Sequence, residues 1–173
     1  MTLVHIAVAD HGLVVDLHPD ATADPGHAIR SERVSFTLPI GLAALSEHEL
    51  HTDPPRPEEL TNAIGLVADH LDDVVRADPS VIGAATSLAG AELCSIVGVE
   101  VGGAPTLPFV LSRDAAEDVF RTVATEPLAD RRHNPGLAAE HVHSVVPAAC
   151  AVVAVMRRLQ LLEVTIIEPV GPS

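Results

Sequence analysis

From Val142 to Leu159 the apolar residues recur in steps of three and four, at Val142, Val145, Val146, Ala149, Val152, Val153, Met156 and Leu159. That spacing lays one wide stripe on a single helical face, so the segment predicts a mostly buried helix. A helix of this kind cannot rest on a surface, and the remainder of the chain has to supply what receives the stripe. Ahead of it, Asn134-Pro135-Gly136 follows the Arg-rich run Leu128 to His133 and cannot continue a helix, so the chain turns there. Behind it, Val164 to Ile167 reads as a closing strand. Pro147 lies inside the helical pattern and predicts a kink or a later start.

Upstream, the receiving elements can be read in order. Leu3 to Ala9 and Leu13 to Leu17 are β-rich runs separated by Asp10, His11 and Gly12, which predicts a hairpin. His18 to His27 reads as a surface loop, and Arg33 to Leu38 as a third strand. The segment Ile40 to Leu50 predicts one or two helical turns before Asp53-Pro54-Pro55 ends them. Pro57 suits the first position of a helix carrying Leu60, Ile64, Val67, Leu71 and Val74, with Glu58 and Glu59 favourable beside its N-terminus. The acidic run Asp69 to Asp73 reads as a wet face of that helix. Asp78-Pro79 stops it, and Ser80 to Thr86 predicts a short buried parallel strand. Ser87 to Val97 predicts a helix, Gly98 to Pro108 an irregular connection, and Ser112 the cap of a helix on which Ala115, Val119, Phe120 and Val123 share a face. The expectation is an α/β, ribonuclease-H-like domain of five strands: three leading in antiparallel order, then two joined through helices.

Composition bounds the function. With 173 residues and 47% hydrophobic content the chain can bury one good core, so a single domain over residues 1–173 is expected, with a disordered tail at 169–173. The formal net charge is -14 and all ten basic residues are arginines, which argues against nucleic acid and anionic membranes as partners. No Trp or Tyr is present to stack on bases. Cys94 and Cys150 sit in apolar helical surroundings, as expected of reduced thiols. No leader-like segment or apolar run of about 18 residues occurs, so a soluble, cytoplasmic protein is expected.

Three stretches together carry a resemblance over roughly Thr2 to Glu168. They are the run DRRHNPGL with its following small-residue helix and LEVTI ending, FTLPIGLAALSEHELHTDPPRPEEL from Phe36 to Leu60, and VIGAATSLAGAEL from Val81 to Leu93. Their order and spacing resemble the second lobe of the exopolyphosphatase and guanosine-pentaphosphate phosphohydrolase (Ppx/GppA) family, which has a two-lobed actin-like ATPase core. The resemblance implies a phosphate loop at the first hairpin, where the family carries Asp-Ile-Gly-Gly-Gly-Ser-Thr-Glu. Here Ala9-Asp10-His11-Gly12-Leu13-Val14 keeps Asp10 and Gly12 and lacks the other glycines and both hydroxyls. A plain hairpin turn accounts for the two that remain.

The resemblance also implies a second phosphate-facing segment at Gly83-Ala84-Ala85-Thr86-Ser87, which makes Gly83 and Thr86 candidates, although a close strand-to-helix turn explains them equally well. At the start of the long helix the family's Arg-x-Asp and Ala-Gly-Ala are replaced by His141-Val142-His143 and Pro147-Ala148-Ala149. The family's general-base glutamate and much of its metal site belong to the first lobe, so the implied protein is a degenerate, inactive lobe that acts as a binding or interaction module. No catalytic residue is assigned and no cofactor is required, with Mg²⁺ called for if phosphohydrolase activity remains. The alternative is a phosphoanhydride hydrolase subunit whose site is completed by a second copy or by a separate first-lobe protein across an apolar surface.

Histidine patterns add little. His48, His51, His141 and His143 form two short clusters without an acidic or Cys partner at a metal-ligand spacing, so no metal ligands are assigned. No Gly-x-Ser-x-Gly elbow supports a Ser-His-Asp hydrolase.

Overall fold

A computed structural model of the chain describes residues 2–19 and 33–169. Most of the loop expected at His18 to His27, and the tail beyond Pro169, lie outside the described residues. Six strands form one mixed sheet in the order β3-β2-β1-β4-β6-β5. β1 (Thr2–Ala9) and β2 (Gly12–Pro19) make the expected hairpin, with Ala9 paired to Gly12 across Asp10 and His11. β3 (Val34–Leu38) adds antiparallel to β2. β4 (Ala85–Ala89) and β6 (Glu163–Ile167) continue parallel to β1, and β5 (Phe109–Ser112) closes the far edge antiparallel to β6.

Three expectations are corrected here. The strand after Asp78 begins at Ala85 rather than Ser80. The apolar residues ahead of it form a 3₁₀ turn at Pro79–Val81 and a bend at Gly83, whose φ is 68°. The following helix, α3 (Ala91–Val101), accordingly starts four residues later than expected. A sixth strand, β5, lies just beyond the stretch read as irregular.

α1 (Leu42–His48) and α2 (Pro57–Ala77) link β3 to β4. After β5 come α4 (Arg113–Thr125), the four-residue α5 (Leu128–Arg131) and α6 (Val145–Arg158). Pro57 opens α2 at its first position. Ser112 caps α4 by accepting from the Ala115 N–H at 3.2 Å. Pro147 is the third residue of α6, where its missing N–H has no intrahelical partner to lose, so the helix starts late rather than kinking.

α6 is more enclosed than one stripe suggests, since every residue from Val145 to Met156 is buried. Its alanines let α2 and α4 approach closely on either side, and ion pairs tie both flanks. Arg158 pairs with Asp72 of α2, and the Arg157 guanidinium is bidentate to Glu117 of α4 at 2.7 and 2.6 Å. The expected wet face of α2 is thus spent in part on α6.

Strand alternation decides where the core lies. Val4, Ile6 and Val8 of β1, Leu13, Val15 and Leu17 of β2, Leu88 of β4, Leu111 of β5, and Val164 and Ile166 of β6 all point to the helical side and are buried. The opposite face carries Leu3, His5, Ala7, Val14, Asp16, Ser87, Thr165 and Val110, as the pairing register requires. Right-handed crossovers explain the one-sidedness: β3 to β4 and β4 to β6 both step in the same direction, which puts both sets of connecting helices on one side.

Two buried features hold the segment that leads into α6. Arg131 is only 4% exposed, and its guanidinium donates to the main-chain carbonyls of Val123 at 2.9 Å, Glu126 at 2.8 Å and Val142 at 3.2 Å. Asp53 lies 3.6 Å from it, and the Asp53 carboxylate accepts the Leu128 N–H. Gly98 of α3 meets Gly136 of the Asn-Pro-Gly turn backbone to backbone. A Cβ on Gly98 would lie 2.0 Å from the Gly136 carbonyl oxygen.

Candidate functional site

In a sheet with this winding, ligands bind beyond the carboxyl ends of the parallel strands, at the point where the chain's connections diverge. That point is the gap between β1 and β4. A cleft of about 360 Å³ opens there, bounded by Ala9 and Asp10 of the hairpin, by Ala89, Gly90 and Glu92 of the β4-to-α3 turn, and by Pro169 after β6. A second cleft of about 400 Å³ shares Ala91 and Pro169 with it and extends to Cys94, Ser95, Glu140, His141 and Glu168.

The hairpin side is clamped by protein. The Asp10 carbonyl accepts the Ala43 N–H at 3.2 Å, and a Cβ on Gly41 would fall 2.2 Å from that carbonyl oxygen and 2.4 Å from the Gly12 nitrogen. The start of α1 therefore presses its backbone directly against the hairpin tip. Gly12 serves packing as well, since a Cβ there would meet the Leu38 carbonyl oxygen at 2.7 Å.

On the other side Gly90 makes the tight strand-to-helix passage, where a Cβ would lie 2.8 Å from the Val8 carbonyl oxygen. Glu92, in the first turn of α3, already occupies the favourable position for negative charge at that helix end.

Of the residues singled out from sequence, Asp10 lines the cleft and Gly12 lies at the hairpin beside it. Gly83 and Thr86 are at the opposite end of the sheet. Leu3 pairs with Ala85, so Thr86 stands beside Val4, six residues before Asp10. At about 3.3 Å per residue this is roughly 20 Å from the hairpin tip. Thr86 is buried on the helical side and donates to the Ala84 carbonyl at 2.9 Å, while the Gly83 N–H donates to the Leu159 carbonyl at 2.8 Å. The strand-to-helix turn that does reach the cleft is Ala89-Gly90-Ala91, seven residues downstream of the sequence candidate Gly83. The second glycine in GAATSLAGAE was the available signal.

The rim of the second cleft is held by a Ser–His link that sequence reading missed. Ser95 Oγ accepts the Ala138 N–H at 3.2 Å and lies 2.8 Å from His141 Nδ1. The hydroxyl thus bridges the Ala138 N–H and the His141 ring. Ser95 is 2% exposed, so the pair joins α3 to the turn before α6 rather than presenting a nucleophile. The Cys94 thiol is pushed up by burial and by the nearby Glu168 carboxylate, which disfavours the thiolate. At the other edge, burial pushes the His5 imidazole below its ordinary value against the opposing pull of Asp16, and His5 Nδ1 lies 3.1 Å from Ser87 Oγ.

The charge of the clefts is one-sided. Asp10, Glu92, Glu140 and Glu168 line them, and no arginine does. The described arginines engage acceptors elsewhere, in ion pairs or, for Arg113, on the carbonyls of Leu161 and Met156, with Arg132 exposed. Among the described residues no three His, Cys, Asp or Glu side chains converge as metal ligands. Nor is any helix among them long and apolar enough to cross a membrane.

Solved structures share this fold. The Aquifex aeolicus PPX-GPPA enzyme superposes with a TM-score of 0.78 at 16% identity, over 97% of this chain and 54% of that one. An exopolyphosphatase-like protein gives a TM-score of 0.84 at 16% identity, over 97% and 55%. An exopolyphosphatase from Cytophaga hutchinsonii gives 0.76 at 11% identity, over 96% and 53%. No protein-family model matches the sequence, and no curated protein does so at a significant level. The chain thus has the actin-like, ribonuclease-H-like fold of Ppx/GppA structures and spans about half the length of each.

Proposed function

We propose that this chain is an exopolyphosphatase-related lobe without hydrolytic activity of its own, acting in the cytoplasm as a binding or interaction module. The observation that carries this reading is the cleft at the β1/β4 gap. Its hairpin is braced by the backbone of Gly41, and it offers Asp10 and Glu92 where a polyphosphate would need amide nitrogens and cations. Like charges repel, so the two carboxylates oppose a bound polyanion.

The test is incubation of the purified chain with polyphosphate or guanosine pentaphosphate and Mg²⁺. The expected phosphate release equals that of a heat-killed control, and release above that control overturns the reading. A second reading rests on the likeness of the fold to Ppx/GppA structures. In it the chain is a phosphohydrolase subunit whose site a second chain completes, with Mg²⁺ bound largely through substrate phosphates. Phosphate release that appears only when a separately produced first-lobe protein is added supports that reading over the first.

A further inference from the structure

Two consecutive arginines meet at the entrance to α6, in a chain that carries ten arginines against 24 carboxylate side chains. A cavity of about 250 Å³ lies between the loop after α1, α5 and the first turn of α6, with Ser46, Thr52, Asp53, Arg131 and His143 as its polar walls. A second cavity, of about 210 Å³, shares Leu128 and His143 with the first and adds Arg132. Neither shares a residue with the clefts at the β1/β4 gap. Arg131 is 4% exposed, and a guanidinium has several N–H donors to satisfy. Three of them reach the carbonyls described above. The other two meet no acceptor within hydrogen-bond range among the described residues, since Asp53 stands 3.6 Å away. Burial pushes this guanidinium below its ordinary value against the pull of Asp53 and Glu126, as for a cation short of negative charge. Arg132 is exposed and makes no ion pair among the described residues. The first turn of α6, whose Val146 and Pro147 line the larger cavity, has neither a capping side chain nor an acidic residue. Its positive end therefore adds to the two arginines.

We infer that these adjoining cavities bind a small monocarboxylate with an apolar body. Charge sets the head group. Two guanidinium groups line the cavities with a single carboxylate, Asp53, which already accepts the Leu128 N–H at 2.9 Å. A singly charged oxyanion matches that balance, whereas a dianion such as phosphate brings its second charge against Asp53. Geometry agrees, because the planar fork of a guanidinium presents its N–H groups in the spacing of a carboxylate's two oxygens. Shape sets the rest of the ligand. Leu50, Pro55, Leu128, Val146 and Pro147 line the larger cavity, and an apolar body laid against them gains about 25 cal/mol for each Å² removed from water. A short branched chain suits that space, with its carboxylate toward the arginines.

Titration of the full chain with isovalerate, followed by amide proton–nitrogen NMR, tests this. Saturable shifts are expected at Leu128, His143 and Val146, with a Kd of about 1 mM or tighter, in the range open to so small a ligand. Isovaleramide, which has the same shape without the charge, and inorganic phosphate should each bind at least about tenfold more weakly. Arg132→Gln should weaken isovalerate about tenfold with an unchanged urea midpoint, and Ser46→Leu, which intrudes on the larger cavity, should abolish saturation. Arg131 stays in place in these variants because it also holds three carbonyls, and Arg121→Gln, on α4, should bind as wild type. No saturation at about 20 mM isovalerate, equal affinity for phosphate or isovaleramide, or undiminished binding in Arg132→Gln overturns the inference.

Discussion

Replacing Arg131 by Met gives the sharpest test of how this lobe is held together. The guanidinium satisfies three main-chain carbonyls, from the end of α4, the turn after it and the segment entering α6. Methionine matches the side chain's length and hydrophobic stem but withdraws the donor from all three carbonyls, beside the cleft that Arg131 also lines. Each orphaned buried group costs about 1–3 kcal/mol, partly offset by no longer burying a charge, and removal of one member of a buried charged network costs about 3–5 kcal/mol. A loss of about 3–5 kcal/mol in a chain of this size corresponds to a fall in Tm of roughly 6–20 °C. Urea unfolding followed by far-UV circular dichroism is the suitable assay, because the chain has no Trp or Tyr to report by fluorescence.

Two companions separate the causes. Asp53→Asn should cost less than about 1 kcal/mol, since Asp53 is 3.6 Å from Arg131 and the amide oxygen can still accept the Leu128 N–H. Arg132→Met, on an exposed neighbour, should change nothing measurable. The reasoning fails if Arg131→Met costs under about 1 kcal/mol, or if Asp53→Asn costs as much, which would make the ion pair rather than the carbonyls the support.

Other outcomes follow from the same structure. The Glu59 carboxylate is held down to about 2 by Thr52 Oγ1, by the Arg56 N–H and by the His51 N–H. Its contribution is therefore complete above its ordinary value of 4.5 and is lost as pH falls toward 2, and Glu59→Gln should flatten the acid limb of a stability-versus-pH curve. An unchanged acid limb in that variant would contradict the assignment. Gly98→Ala should cost about 3 kcal/mol or more, the top of the overpacking range. Gly65→Ala, in the middle of α2 with open space around it, should stabilise by about 0.5–1 kcal/mol in the same urea assay. The Cys150 thiol is pushed up to about 12 by burial, so a thiol reagent at pH 8 should label it only in denaturant, after Cys94.

What could be read in advance followed from local chemistry. The first hairpin, α2 and α4 were legible because a glycine-bearing turn, a proline at the first helical position and a serine cap each act within a few residues. β4 was displaced because Val81-Ile82 looks more strand-like than Ala85-Thr86-Ser87. Its small and polar residues are allowed by an outer face on which, among the described residues, no helix packs, and no local pattern reveals that. Four-residue β5 is too short to show an alternation. Arg131 sits in the Arg-rich stretch ahead of the turn, and only the meeting of three chain segments makes it interior. Misplacing β4 set Gly83 and Thr86 in a strand-to-helix turn that the structure forms instead at Ala89-Gly90-Ala91, whereas Asp10 lies in the hairpin turn where it was read.

β6 lies between β4 and β5 and hydrogen-bonds to both. During synthesis on the ribosome, β5 waits unpaired, and β4 has one side open, until the residues from Glu163 onward have emerged. The long helix that fills the interior precedes them by only a few residues. A nascent chain halted before Glu163 would expose two strand edges and an apolar helix together, so the lobe should rely on chaperones until β6 docks.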